Sequence, residues 1–313
     1  MIGDPRQDEN LIIAQLHVAF LKLHNRVLDS VIQGDIRNSS ATLFEQARCI
    51  VTWHYQWVVR HDFLREILNP EIFEQTFSDE RDERKDEGDF QIPVEYSLAA
   101  GRFGHSMVRD EYFINDTHSE ASLKEDVFRL TGTRGGACPH LPADWVIAWE
   151  RFFFIGSGSG LVRHSRAIDT RIAQALHEPD QPNAPSLPVK TLLRGKRVGL
   201  PSGQDVARAF GLDPLHPGQI AEGPDKEILI NSGYDKRTPL WYYILKEAEI
   251  TARGAHLGAL GSRLVAKVVM AAILRDPNSY RSMEGRWIPT LPGPEDPKLF
   301  GMPDLLRVAN APR

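Results

Sequence analysis

Residues 97–112 read SLAAGRFGHSMVRDEY, an apolar stretch that carries Arg102, His105 and Arg109 and has Gly101 and Gly104 on either side of the Arg102–Phe103 pair. As a core helix this stretch is expensive, because each glycine costs about 1 kcal/mol relative to alanine in a helix interior. On an α-helix Leu98, Arg102, His105 and Arg109 fall on one face, at spacings of four, three and four. An imidazole with a guanidinium one turn away on each side makes a poor core face, so something outside ordinary packing has to offset the cost.

A flat anionic ligand with a metal at its centre would suit that face. The His105 nitrogen would coordinate the metal, Gly104 would let a macrocycle approach the backbone, and Arg102 would pair with a carboxylate of the ligand. Spacing alone leaves this open beside a purely structural helix.

Helical patterns dominate the rest of the chain. From Leu11 to Gln33 the residues Ile12, Leu16, Phe20, Leu23, Val27 and Val31 recur three or four apart, and Asp4 and Pro5 read as N-cap and first helical position. Leu43 to Leu68 is a second helical pattern, rich in Trp53, Tyr55 and Trp57. TPLWYYILKEAEI from Thr238 and HLGALGSRLVAKVVMAAILRD from His256 have helical spacing, and strand-like alternation is scarce. The expected fold is mainly α, with long loops and little strand. Asp79 to Glu87 is an unbroken run of nine charges of both signs, read as a solvated segment, and Pro179, Pro182, Pro185 and Pro188 read as an extended connector.

Composition narrows the class. The chain of 313 residues is 42% hydrophobic and 25% charged, the balance of a globular protein with a sizeable core. A formal net charge of -5 argues against a general nucleic-acid binder. No run of about 18 apolar residues is present, so no membrane span is expected. Cys49 and Cys138 are too far apart in sequence for paired zinc-ligand spacing, and Cys138-x-His140 lacks further ligands nearby. The glycine-rich 155–161 stretch, IGSGSGL, has Leu161 where a third glycine belongs in a phosphate loop. Ser202 is outside a GxSxG elbow, and His24 reads as a hydrogen-bonded structural histidine.

Five motifs then occur in a defined order: GDPRQDENL at 3–11, FLKLHNRV at 20–27, RFGHSMV at 102–108, LLRGKRVGLPSGQ at 192–204 and TPLWYYILKEAE at 238–249. In this order they resemble the animal-type haem peroxidase superfamily, most closely its bacterial branch. The resemblance extends over nearly the whole chain and implies one haem peroxidase-like domain over residues 1–313. It further implies haem b as cofactor, with His105 as the proximal iron ligand. Arg6 matches the distal-side catalytic arginine, and Glu9 matches the acid that mammalian members esterify to haem. Arg102 and Arg194 match positions beside the propionates. Thr191 stands where the family has an asparagine bonded to the proximal imidazole, and its hydroxyl has a shorter reach.

Fatty-acid dioxygenases of the superfamily carry a tyrosine three residues before the proximal histidine, where this chain has Arg102. Peroxidase chemistry is therefore implied, with hydrogen peroxide and a small-molecule electron donor as substrates. The family's distal histidine, its adjoining aspartate and its calcium loop lie upstream of the GDPR motif. The chain is accordingly expected to be the C-terminal portion of a longer peroxidase, or a product with a misassigned or altered start, without the calcium site, and to bind haem weakly or not at all. The competing reading is a catalytically impaired fragment or a haem-binding module without turnover.

Overall fold

The computed structural model describes residues 4–34, 42–78, 90–131, 140–155, 162–178, 184–282 and 287–310. The charge run, the glycine-rich turn, Cys138, Pro179 and Pro182 lie outside these residues. Helix dominates what is described. In chain order the α-helices are α1 (Leu11–Gln33), α2 (Leu43–Val58), α3 (Leu64–Ile67), α4 (Pro70–Ser78), α5 (Val94–Leu98) and α6 (Gln174–His177). They continue with α7 (Leu187–Arg197), α8 (Gly203–Ala209), α9 (Pro217–Ile220), α10 (Lys226–Ser232), α11 (Leu240–Ala252), α12 (Ala259–Arg275) and α13 (Met302–Asn310). Strand is confined, among the described residues, to β1 (Glu111–Tyr112) and β2 (Ala121–Ser122), antiparallel with Glu111 opposite Ser122.

The described residues group into two compact units, the first from Met1–Asp62, Arg109–His164 and Pro277–Arg313, the second from Phe63–Val108 and Ser165–Asp276. In the first, α1 buries Leu23, Val27 and Val31 of the predicted stripe together with Leu11 and Ala19, while Ile12, Leu16 and Phe20 are only partly buried, and it packs on α2 and α13. Its start differs from expectation. Asp4 and Pro5 open a separate 3-10 turn, Pro5–Asp8, while Asn10 caps α1 by accepting from the Ile13 N–H at 3.0 Å. Two N–H acceptors so close in sequence give two short starts in place of one. Gly34 ends α1 in the left-handed conformation, at φ 82°.

Helical backbone continues past α2 through a π turn, Val59–Phe63, into α3, so the Leu43–Leu68 pattern is helical almost to its end. On α2, His54 is fully buried: its Nδ1 bonds the Ile50 carbonyl at 2.7 Å, and its Nε2 accepts from the Thr290 and Leu291 N–H groups at 2.9 and 3.1 Å. This one ring holds the segment leading into α13 against α2.

The second unit is built around α11. Helix α11 buries eight residues, from Leu240 to Ala248, and is apolar on most of its circumference, as a helix covered on several sides must be. Two charges are buried among them. Lys246 Nζ donates to the Glu222 carbonyl at 2.7 Å and to Glu249 at 3.0 Å. Glu247 accepts from the Leu260 and Gly261 N–H groups at 3.0 and 3.1 Å, placing a carboxylate on the N-terminus of α12. Burial pushes the Glu247 carboxyl up, and these two donors pull it part of the way back. Pro188, expected in an extended connector, instead lies in the first turn of α7, where a missing N–H does no harm.

Candidate functional site

Residues 97–112 do not form one α-helix. Helix α5 stops at Ala99, whose φ and ψ are -134° and -74°, and the chain restarts as a 3-10 helix, Ala100–Ser106. Leu98 therefore belongs to the preceding helix and Arg109 lies past the end, so the four-residue face predicted for an α-helix does not form. With three residues per turn, however, Arg102 and His105 lie one above the other. Ala99, Ala100 and Phe103 fix the stretch in the core of the second unit, and the buried Ser106 hydroxyl donates to the Phe103 carbonyl at 2.9 Å.

The two glycines have different reasons. A Cβ on Gly101 would lie 3.0 Å from the Tyr96 carbonyl oxygen and 3.1 Å from its ring, so a side chain there would be crowded against Tyr96. At Gly104 a Cβ would meet nothing within 4 Å. No protein contact requires that glycine, and the space beside His105 is open.

His105 is positioned by Trp241, whose ring stands edge-on to the imidazole at 6.0 Å and 72° and whose Nε1 donates to the Arg102 carbonyl at 3.1 Å. Burial, aided by the Arg102 charge, lowers the His105 pKa to about 4, so the ring is neutral at physiological pH and its lone pair is available to a metal. Its Nδ1 is buried with no hydrogen-bond partner among the described residues. Thr191, buried on α7, donates its hydroxyl to the Leu187 carbonyl of its own helix at 3.0 Å. With Trp241 it shares the wall of a cavity of about 450 Å³.

Arg102 donates from Nε to the Ser97 carbonyl at 3.0 Å. Burial and the neighbouring Arg194 both lower its pKa, which places two guanidiniums within mutual electrostatic range. Neither has a carboxylate partner among the described residues. A neutral half-buried imidazole, two unpaired cations and an open glycine fit a planar dianion with a central metal, the chemistry of haem.

Arg6 and Glu9 belong to the first unit. Arg6 bonds Asp4 through Nε and Nη2, its side chain is 82% exposed, and this pairing holds the Asp4 carboxyl down at about 2 while raising the Arg6 pKa. Thus the structure brings Arg102 close to His105 and to Arg194, sets Thr191 on a cavity wall shared with Trp241, and has Arg6 and Glu9 in the first unit. Sequence reading did not single out Trp241 or Tyr96, although Trp241 stands in the TPLWYYILKEAE motif. Elsewhere, Ser202 is the N-cap of α8, accepting from the Asp205 N–H. The His24 ring packs on Phe44 at 4.9 Å and its Nε2 is buried without a hydrogen bond, where a bonded ring was expected. Among the described residues no group of three His, Cys, Asp or Glu could hold a metal ion, and no helix is long and apolar enough to cross a membrane.

Fold and site together describe a helical protein with a half-buried histidine beside two unpaired guanidiniums. The chain belongs to the animal haem peroxidase family, which it matches over residues 1–222. It is 23% identical to a chorion peroxidase of Drosophila melanogaster over 222 residues, 68% of this chain and 26% of that protein. It is 29% identical to a peroxidase-like protein of Margaritifera margaritifera over 34% of this chain and 14% of the relative, and 27% identical to human thyroid peroxidase over 34% and 12%. Peroxidase A of Dictyostelium discoideum has the same fold, with a TM-score of 0.61 and 18% identity over 89% of this chain and 52% of that one. The matched region spans about a quarter or less of the curated relatives' length.

Proposed function

We propose that the chain carries the histidine-ligated side of a haem peroxidase site and serves the reduction of hydrogen peroxide at the expense of a small-molecule electron donor. The carrying observation is the neutral, half-buried His105 imidazole beside the unpaired Arg102 and Arg194 guanidiniums. His105 would hold haem iron through the ring nitrogen not facing the core, and Arg102 and Arg194 would pair with the propionates. Bound haem b would supply the redox chemistry. Thr191 stands where the family resemblance puts the partner of the proximal ring, and its hydroxyl, now donated to the Leu187 carbonyl, would have to turn away to accept the Nδ1 proton.

Arg6 would neutralise negative charge on peroxide oxygen as the O–O bond breaks. Glu9, three residues on, is the candidate for an ester to the haem edge. Since Asp4 already occupies the Arg6 guanidinium, the second reading, haem binding without turnover, has an observation in its favour.

Titration of the purified chain with haemin, followed by the Soret band, tests the first step. His105→Ala should abolish the histidine-ligated spectrum, while Arg102→Ala should weaken binding about tenfold, the value of one or two charge-assisted hydrogen bonds. An unchanged spectrum in His105→Ala would sink the assignment. Peroxide consumption by the haem-loaded chain then separates the two readings.

A further inference from the structure

The first unit contains a cluster of cations that the haem reading does not use. Three arginines surround two adjacent rings in the segment around β1: the Arg151 guanidinium lies 4.3 Å from the centre of the Phe113 ring, Arg163 lies 5.5 Å from the same ring, and Arg109 lies 4.8 Å from Tyr112. The cluster is held on fixed backbone. Tyr112 belongs to β1, its hydroxyl accepts from the Arg109 N–H at 3.2 Å, and the Arg163 N–H donates to the Arg151 carbonyl at 3.2 Å.

The charges do not balance. Asp116, 86% exposed, pairs with Arg151, and neither Arg109 nor Arg163 has a carboxylate partner among the described residues. Arg151 is only 11% exposed on its side chain, and its Nε is buried with no hydrogen-bond partner. Arg109 is desolvated and feels the charge of Arg163, both of which lower its pKa, with Tyr112 acting in the opposite direction. Asp116 is the one carboxylate paired with these three guanidiniums among the described residues, which leaves two positive charges, Arg109 on the Tyr112 ring and Arg163 beside Arg151 on the Phe113 ring. Cation–π contact offsets part of that repulsion. A guanidinium stacked on a ring keeps its N–H edge free to donate in its own plane, and that edge matches a tetrahedral oxyanion.

We propose that Arg109, Arg151 and Arg163 form a binding site for a dianionic oxyanion, namely phosphate or a phosphate monoester. A dianion cancels the two uncompensated charges, whereas a monocarboxylate would leave one. The phosphate group would take N–H donors from Arg109 and Arg163 and from the unbonded edge of Arg151.

The test uses the full chain and needs no haem, so its result is independent of the peroxidase reading. Inorganic phosphate at pH 7.5, with ionic strength held constant by chloride, is titrated by calorimetry and followed by thermal unfolding. Saturable binding and a rising Tm are expected, with acetate at least tenfold weaker. Arg163→Ala should weaken phosphate at least tenfold, and this side chain is exposed, so an unchanged far-UV spectrum is expected to confirm the fold. Arg109→Gln should act in the same direction. Phosphate that binds no better than matched chloride or acetate, or equally well to wild type and Arg163→Ala, would overturn the proposal.

Discussion

A single hydrogen atom in place of a methyl group decides how α8 meets α11. A Cβ on Gly203 would lie 2.0 Å from Cγ of Tyr243, and the Tyr243 ring cannot withdraw because its hydroxyl accepts the Leu215 N–H at 2.8 Å. Gly203→Ala should therefore destabilise by about 3 kcal/mol or more, the upper range for overpacking a core. The urea midpoint should fall with little change in slope. Gly101→Ala, facing the Tyr96 carbonyl, should cost about 1 kcal/mol or more on the same measurement. Neither glycine's reason was legible in the sequence. His105 and Arg102 stood out through their chemistry, but the Tyr96 groups that would crowd a side chain at Gly101 meet it only in the folded chain. Apolar spacing does not distinguish a 3-10 restart from a continuing α-helix over so few residues.

The extent of α1 and its buried Leu23, Val27 and Val31 were legible, because burial on one side leaves a period that survives in sequence, whereas the buried positions of its first half and its cap were not. What joins elements was not legible. The attachment of α2 to the segment before α13 rests on His54, about 236 residues from its partner Thr290 and part of no motif. Its partners define the neutral ring: Nδ1–H donates to Ile50, and Nε2 accepts two N–H groups. Protonation at Nε2 would put a third donor against those two. Burial accordingly lowers the pKa to about 4, from 6.5 in the unfolded chain, against the opposing pull of the Ile50 carbonyl.

Because the folded value lies below the unfolded one, this contribution is intact above pH 6.5 and is lost as pH falls from there to about 4. At 1.36 kcal/mol per decade the full loss is roughly 3 kcal/mol. His105 acts with the same sign. The His54 share is isolated by comparing wild type with His54→Gln: the variant should be less stable at pH 7.5, and the gap should narrow towards pH 4.5. Trp287, 4.9 Å from the His54 ring, provides the fluorescence signal. A gap that does not change with pH would rule out the ring as the titrating group.

For the whole molecule, net charge and local charge point in opposite directions. The chain carries -5, yet Arg102 and Arg194 present two unpaired cations beside a neutral imidazole in the second unit. Two propionates would neutralise that pair without disturbing His105, so haem should bind the folded chain and not the unfolded one. Mass action then raises stability by about 2.7 kcal/mol at a free haemin concentration 100 times Kd. For a chain of this size that is a rise in Tm of roughly 5 °C. The cation pair and the imidazole should contribute separately: Arg102→Ala should require about tenfold more haemin for the same shift, whereas His105→Ala should lose the shift at any concentration at which haemin remains monomeric. The Tm without haemin discriminates further, because removing Arg102 from beside Arg194 relieves a like-charge contact and should leave the apo chain as stable as wild type or slightly more so. A haemin-free loss of stability in Arg102→Ala would mean that the guanidinium serves the fold through Ser97 and not the cofactor.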